Sequence, residues 1–337
     1  MLTNLTAGTS ALSVATLVLT DHIKIWHVMF FAFLLGMGNA IDAPVRQSFN
    51  VEVVGKEDLP NAVGLNSANF NTGRLIGPGL SGILISAYGT GVSFLLNGIS
   101  YLIVIGALFA LREKDLHIEK IKRSSTKIRE AFHYVKARPD ILAVMITVFF
   151  ATSFGLNFNI FNTMMATKVF GKGAAQYGAL GSILAIGSLS GALISARLER
   201  KRGPRFVMLG AMVFSSLLIA SSFAPNYTIY SIFLPLIGCV ALLTFIGANT
   251  MVQTRTDSAI RGRVMGIYLT VFLGGTPIVS PLIGWMTEQI GTRTTITICG
   301  SISLLAAVIT YSQFRDRSEA PESFAIADVL EAAYENK

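Results

Sequence analysis

Few side chains of this sequence could carry covalent or acid–base chemistry, because almost all of its charged residues lie outside its apolar runs. None of the 19 acidic residues lies near the middle of such a run, and Asp42, Asp140 and Glu288 lie near the ends of runs. The four histidines lie in loops or near helix ends. The sequence contains no phosphate-binding loop, nucleophile elbow or metal-ligand spacing. It therefore predicts no enzyme, no catalytic residues, no metal site and no cofactor.

Amides are the commonest polar side chains inside the apolar runs. Asn157 and Phe158 lie in "FGLNFNIFN", which interleaves amides with aromatic residues. This mixture suits a large, partly aromatic, amphiphilic ligand, although the same amides could simply hydrogen-bond between helices. The candidate ligand-contacting residues are Asn66, Asn69, Arg74, Asn97, Asn157, Phe158 and Asn249.

Three charged residues could form a gate or a coupling network. Arg74 lies inside an apolar run, where a charge is costly in lipid, so it should face a cavity or a partner. Asp42 and Arg46 lie one helical turn apart near a helix end. A pair of these two, with or without Arg74, could hold one side of the molecule closed. Alternatively, both are ordinary interfacial residues at a helix end.

A glycine-proline motif lies in "GRLIGPGLSGILISAYG", residues 73–89. It comprises Gly73, Gly77, Pro78, Gly79 and Gly82. Gly73 and Gly77 have the spacing that lets another helix backbone approach closely. Pro78 removes a helix hydrogen bond, and Gly79 beside it permits a bend. The motif predicts a helix bend or a tight packing seam.

Composition places these residues in a membrane protein. The chain has 337 residues, of which 52% are hydrophobic and only 14% charged, with a mean hydropathy of +0.59. A soluble domain carries about a quarter charged residues. We predict ten membrane-spanning helices, each of about 20 apolar residues. They lie near residues 1–20, 26–45, 62–87, 92–111, 140–162, 176–196, 206–223, 229–251, 264–287 and 294–313.

The distribution of basic residues predicts the topology. The odd-numbered connections hold only Lys24, Lys168, Lys172 and Arg293, whereas most of the 27 Lys and Arg residues lie in the even-numbered connections and the tail. The positive-inside rule then places both termini and the linker 112–138 in the cytoplasm, for a multi-pass protein of the cytoplasmic (inner) membrane. The net charge of +8 is thereby explained without nucleic-acid binding.

The second half of the linker has a helical pattern of apolar residues. Ile128, Ala131, Phe132 and Val135 recur at the spacing of one helix face. This pattern predicts an amphipathic helix that lies along the membrane surface.

An internal repeat divides the chain into two halves. "PNAVG" at 60–64 matches "GRVMG" at 262–266, and "GILISAYGT" at 82–90 matches "GWMTEQIGT" at 284–292 with the same offset. Tandem halves are typical of secondary transporters. The offset leaves 140–196 without a counterpart, so we expect a 6 + 6 plan from which the first two helices are missing. The predicted domains are a four-helix N-terminal bundle (1–111), a cytoplasmic linker (112–138), a six-helix C-terminal bundle (139–314) and a cytoplasmic tail (315–337).

The chain resembles the major facilitator superfamily, and within it the transmembrane secretion effector group of enterobactin exporters and macrolide efflux proteins. The stretches that carry the resemblance are "GNAIDAPVRQSF", "EDLPNAVGLNSANFNTGRLIGPGLSG", "KIREAFHYVKARPDI" and "FGKGAAQYGALGSILAIGSLSGALISARL". The resemblance implies an all-α membrane protein with two helical bundles that work by alternating access. Ala196 departs from the family pattern, which usually has an aspartate at that position of its cytoplasmic motif.

The resemblance implies a secondary active exporter of drugs or a siderophore, driven by an ion gradient, with the proton as the expected ion. The expected partners are the lipid bilayer, a small-molecule substrate and protons. The coupling residue would be Asp42 or lie in the missing helices, unless another ion drives transport. Import by the same superfamily and a truncated membrane protein without transport activity stay open as alternatives.

Overall fold

The computed structural model describes residues 1–54, 59–111, 128–197, 203–257 and 260–315. Over these ranges the chain forms helices and no strands. It divides into two compact units. Unit 1 comprises Met1–Arg123 and Ala174–Ala179, and unit 2 comprises Ser124–Gly173 and Leu180–Lys337. The division places the predicted surface helix of the linker in unit 2.

Unit 1 is built from three helices and the first turns of a fourth. They are α1 (Leu2–Leu19), α2 (Ile25–Val54), α3 (Leu59–Ala110) and the beginning of α7 (Ala174–Arg197). The predicted segments 62–87 and 92–111 are both part of α3, which turns at Gly89. The φ angle of Gly89 is 80°, a conformation that glycine adopts without steric cost.

Unit 2 contains the rest of α7 and eight further helices. These are α4 (Ile128–Ala137), α5 (Pro139–Phe150), α6 (Phe158–Met164), α8 (Pro204–Ser222), α9 (Tyr227–Arg255), α10 (Arg261–Gly274), α11 (Thr276–Gln289) and α12 (Thr292–Arg315). Two wide π-helical turns, Ala151–Gly155 and Met165–Val169, flank α6.

Eight helical stretches in the described ranges are long and apolar enough to cross a membrane, and the apolar part of α2, Ile25–Gly38, is shorter. One of the eight, Ile76–Ala110, includes the turn at Gly89 and so covers parts of two predicted segments. Helices satisfy their own backbone hydrogen bonds, which is the requirement for crossing lipid. The predicted all-α membrane fold is confirmed.

Small residues let the helices of unit 1 approach closely. A Cβ atom added to Gly8 would lie 3.0 Å from the Cβ of Tyr101, and one added to Gly91 would lie 2.8 Å from the side chain of Leu19. Both contacts join α1 to α3. Because lipid supplies no hydrophobic force between helices, such close packing is what holds them together.

The glycine-proline motif packs at its C-terminal end. A Cβ on Gly82 would lie 2.7 Å from the carbonyl oxygen of Ala174 and 3.0 Å from the Cα of Gly178, and one on Gly178 would meet the carbonyl oxygen of Pro78. At Gly73 and Gly77, by contrast, a Cβ would meet no described atom within 4 Å. Among the described residues, the close approach therefore involves the helical turn from Pro78 to Gly82.

The torsion angles of α3 stay helical at Pro78 and Gly79 and depart from helical values at Gly89, where glycine can adopt positive φ. A proline can kink a helix while its torsion angles stay helical, so the bend at Pro78 stays a prediction. Pro78 also contributes a carbonyl oxygen to the packing seam.

A second seam, which the sequence analysis did not single out, joins α7 to α9 in unit 2. A Cβ on Gly191 would lie 2.9 Å from the Cα of Cys239, and one on Gly238 would lie 2.9 Å from the backbone nitrogen of Ser188. Gly187 likewise faces the backbone of Pro235. The two helix backbones are thus in direct contact.

We predict that Gly178→Ala lowers the thermal stability of the protein. The added methyl group would collide with backbone atoms of α3, and overpacking of this kind costs about 1–3 kcal/mol. Gly77→Ala is the matched control, because it adds the same methyl group to a helix where it meets no described neighbour. It should be neutral or stabilising by up to about 1 kcal/mol. Unfolding midpoints in one detergent compare the variants, and equal midpoints would contradict the seam.

Candidate functional site

Two membrane-spanning stretches of unit 2 are interrupted near their middles. In Pro139–Val169, the π-helical turn and the residues after it separate α5 from α6. In Arg261–Gln289, α10 ends at Gly274 and α11 begins at Thr276, so that Gly275 lies halfway along the span. The sequence "GGTPIVSP" explains the second interruption, since proline lacks the amide hydrogen that would continue the helical ladder.

The two interruptions lie against each other. A Cβ atom on Gly275 would overlap the hydroxyl group of Ser153 and lie 3.0 Å from the ring of Phe149. Ser280 Oγ donates a 2.6 Å hydrogen bond to Asn157 Oδ1, and Asn157 Nδ2 donates a 2.7 Å bond to the carbonyl oxygen of Ser153. We call Ser153, Asn157, Gly275 and Ser280 the mid-span junction.

Within this junction, Ser153 carries a buried hydroxyl group that has no hydrogen-bond partner among the described residues. A buried polar group without a partner is costly, and such groups are rare in native proteins. The Ser153 hydroxyl could therefore donate to a polar ligand. Discontinuous transmembrane helices near the bilayer midplane form the substrate and ion sites of many transporters. The mid-span junction is the candidate site of unit 2.

The predicted ligand-contacting residues of unit 2 have different surroundings. Asn157 is buried and acts as a hydrogen-bond bridge between helices, the alternative that the sequence left open. Phe158 is buried, and its ring makes edge contacts with Phe161 and Phe214, so it packs in the core. Asn249 is half-buried and accepts a 2.6 Å hydrogen bond from Gln253 Nε2 on the same helix.

The candidates of unit 1 are more dispersed. Asn97 is exposed and borders a cavity of about 150 Å³ between α1, α2 and α3. This volume is below the usual range for drug-sized ligands, about 300–1,000 Å³. Asn69 is exposed, and Asp42 is half-buried and accepts a 2.9 Å hydrogen bond from Thr3 Oγ1. The side chains of Asn66, Arg46 and Arg74 lie outside the described set, so the predicted Asp42–Arg46–Arg74 network stays a prediction.

A buried charge cluster, which the sequence analysis missed, joins three helices of unit 2. Arg138 is 1% exposed and binds both carboxylate oxygens of Asp140, with Nε–Oδ1 at 3.0 Å and Nη2–Oδ2 at 2.9 Å. Arg255, at the end of α9, reaches Asp140 Oδ2 at 3.3 Å. Arg138 Nη1 also donates to Tyr134 Oη on α4 at 3.2 Å and to the carbonyl oxygen of Arg255 at 3.3 Å.

Electrostatics explains why this cluster is stable. Burial alone disfavours the charged guanidinium of Arg138, but its hydrogen bonds and charge attraction to Asp140 outweigh burial and raise its pKa above the usual value. Arg138 therefore stays cationic at any physiological pH. The bidentate geometry is the strongest form of an arginine–carboxylate pair. The sequence "ARPD", with an arginine two residues before an aspartate at a helix start, was a local signal for the Arg138–Asp140 pair. Sequence spacing gave no signal for Arg255, because it is distant in the chain.

Comparison with known proteins decides the family. The sequence profile of the transmembrane secretion effector family matches residues 1–331. The chain belongs to this family. The resemblance drawn from the sequence is confirmed, and transmembrane secretion effectors are multi-pass transporters of the major facilitator superfamily.

Two curated relatives illustrate the range of this family. The chain is 23% identical over 285 residues to a staphyloferrin A transporter of Staphylococcus aureus. This match covers 84% of this chain and 71% of that protein. It is 25% identical over 233 residues to the enterobactin exporter EntS of Shigella flexneri. This match covers 69% of this chain and 55% of that protein. The chain thus spans little more than half the length of the EntS protein that it matches.

A solved structure supports the fold of this chain. The bacterial homologue of the human lysosomal transporter Spinster superimposes with a TM-score of 0.66 at 14% identity. The match covers 96% of this chain and 84% of that chain. The major facilitator-type fold predicted from the sequence is confirmed.

We predict that Asp140→Asn destabilises the protein strongly. The substitution removes the carboxylate that compensates Arg138 and Arg255, and breaking a buried ion pair in this way costs about 3–5 kcal/mol. Glu288→Gln is the control, because Glu288 pairs with Lys168 at 2.5 Å where both side chains are about half exposed. Exposed pairs contribute at most about 1 kcal/mol. Thermal unfolding in detergent measures both, and equal losses would contradict the structural role of the cluster.

Proposed function

We propose that this chain is a secondary active exporter that moves an amphiphilic solute, either a siderophore or a drug, by alternating access. Membership of the secretion effector family supports transport. A siderophore is favoured because one relative is named a staphyloferrin A transporter and another an enterobactin exporter. The proposed cycle requires no covalent step and no cofactor.

The observation that carries this proposal is the contact between two interrupted helices at the mid-span junction. Interrupted helices leave backbone groups that a solute can satisfy, and their ends can change direction with little loss of hydrogen bonds. The hydrogen bond of Ser280 to Asn157 joins one interruption to the other. A change at either helix is therefore transmitted to the other, as a cycle between two states requires.

We further propose that protons drive the export and that Asp42 carries them. Its carboxylate is half-buried near the middle of α2 and accepts a hydrogen bond from Thr3, so it can exchange between a solvated and a bonded state. Asp140 is a poorer candidate, since it belongs to the buried cluster that joins α4, α5 and α9. The topology proposed with this mechanism has both termini in the cytoplasm, because the basic connections then face inward.

Gly275→Ala should impair transport without preventing membrane insertion. The added methyl group would displace Ser153 and separate the two interruptions, so we expect at least a tenfold loss of flux, the equivalent of about 1.4 kcal/mol. Gly284→Ala is the matched control on α11, since a Cβ there meets no described atom within 4 Å. Flux is measured in proteoliposomes with enterobactin and with erythromycin under an imposed pH gradient. Equal flux in the two variants would contradict a role for the junction.

Asp42→Asn should abolish accumulation driven by a pH gradient and leave exchange of labelled for unlabelled solute intact. The amide cannot release a proton, whereas exchange requires only the movement between states. Glu288→Gln serves as control, since this exposed carboxylate is paired with Lys168 and should leave both activities unchanged. If Asp42→Asn still accumulates solute under a pH gradient, Asp42 is not the coupling residue. If the unmodified protein moves neither probe in either direction, the proposed substrates are wrong.

A further inference from the structure

The amphipathic helix α4 has two faces with different surroundings. Three residues of its inner face are buried in unit 2, namely Ala131, Tyr134 and Val135, and Tyr134 is part of the charge cluster. Phe132 is 57% exposed, although the sequence pattern placed it on the apolar face. It shares the outer face with Arg129, His133 and Lys136, which are also exposed.

This outer face borders a groove of unit 2. The groove has a volume of about 610 Å³ and lies between α4, α5 and α10. Leu142 and Ile146 of α5 and Ile267 of α10 form its apolar walls, and Arg129, His133 and Lys136 line its α4 end. Among the residues that line it there is no carboxylate, and in the described ranges no ion pair involves Arg129 or Lys136.

We propose that this groove binds one anionic glycerophospholipid, with its phosphate between Arg129 and Lys136 and an acyl chain along α5. The charge arrangement fits such a molecule, because the cations are confined to one end and the walls are apolar. Basic pockets between transmembrane helices on the cytoplasmic side are suited to anionic headgroups. The α4 end of the groove lies on the side that the positive-inside rule assigns to the cytoplasm.

The length of the groove matches a lipid rather than a soluble anion. Its lining extends along α5 from Leu142 to Phe150, about 12 Å at the helical rise per residue. One leaflet of the hydrocarbon core is about 15 Å thick. A soluble phosphate would contact the basic end alone and leave this apolar wall uncovered.

The buried face of α4 holds the site in place. Tyr134 and Arg138 fix α4 against α5 and α9 through the charge cluster, so the backbone that carries the basic residues is already in place when a headgroup binds. Such preorganisation lowers the entropic cost of binding. The buried face of α4 thus anchors the helix in unit 2, and its outer face forms part of the lipid site.

The test is native mass spectrometry of the purified protein titrated in detergent with dioleoyl-phosphatidylglycerol and, separately, dioleoyl-phosphatidylcholine. We expect one phosphatidylglycerol to bind more tightly than phosphatidylcholine. Arg129→Gln/Lys136→Gln should weaken it roughly 25-fold, since each basic residue near an anionic headgroup contributes about a factor of five. Arg197→Gln/Arg205→Gln removes two exposed charges on the same predicted side, outside the groove, and should leave binding unchanged.

A second variant tests the acyl-chain half of the site. Ile146 is 39% exposed, so Ile146→Trp can fold while its larger side chain obstructs the groove, and phosphatidylglycerol binding should fall. Glycerol phosphate at the same concentration should not compete. Equal binding of the two lipids, unchanged binding in Arg129→Gln/Lys136→Gln or in Ile146→Trp, or full competition by glycerol phosphate would each overturn the proposal. The assay involves no transport, so its outcome is independent of the export experiments.

Discussion

The structure depends on one constraint, that every backbone polar group inside lipid must be satisfied within the protein. Uninterrupted helices meet this constraint by themselves, whereas the proline after Gly275 has no amide hydrogen to donate and the π-helical turn at Ser153 departs from the regular α-helical ladder. At these positions Asn157 Nδ2 donates to the carbonyl oxygen of Ser153, the Gly275 carbonyl accepts from Ile278 and Val279, and a side-chain hydrogen bond between Ser280 and Asn157 joins the two interruptions. A single interruption facing lipid would leave its backbone groups uncovered. The position of the mid-span junction therefore follows from solvation, before any function is considered.

The same constraint explains why glycine is used where helices cross. Helix association in a bilayer gains no hydrophobic free energy, because lipid tails are as apolar as the side chains that they contact. Stability must therefore come from close packing of the helices. Gly82 meets Gly178 in unit 1, and Gly191 meets Cys239 in unit 2. A side chain at these positions would separate the helices, which would weaken dispersion contacts along the whole crossing.

The sequence predicted what depends on composition and local pattern, and it failed where the partner is distant in the chain. Apolar run lengths identified the membrane class and most helices, since crossing lipid imposes a length. The glycine-proline motif indicated a packing seam, but the position of α7 determines which of its residues form the seam. Pro78 and Gly82 contact α7, whereas a Cβ on Gly73 or Gly77 would meet no described atom within 4 Å. The helical spacing of apolar residues placed Phe132 on the same face as Ala131, although Ala131 is buried in the core and Phe132 lines the apolar groove. Spacing alone cannot distinguish these two environments. Asp140 was assigned to a helix end and its partner Arg255 was not foreseen, since that contact exists only after folding.

The charge cluster limits how the end of unit 2 that contains α4 can move. Separating α4 from α9 would break the bonds of Tyr134 and Arg138 to the Arg255 carbonyl, and separating α5 from α9 would break the Arg255–Asp140 pair. In either case Asp140 would keep its bidentate pair with Arg138, but the carbonyl or the guanidinium group of Arg255 would lose a partner. The cluster therefore favours joint movement of these three helix ends during a conformational cycle. The interruption at the mid-span junction follows the C-terminal end of α5, so the span can bend there while the end that carries the charge cluster stays fixed.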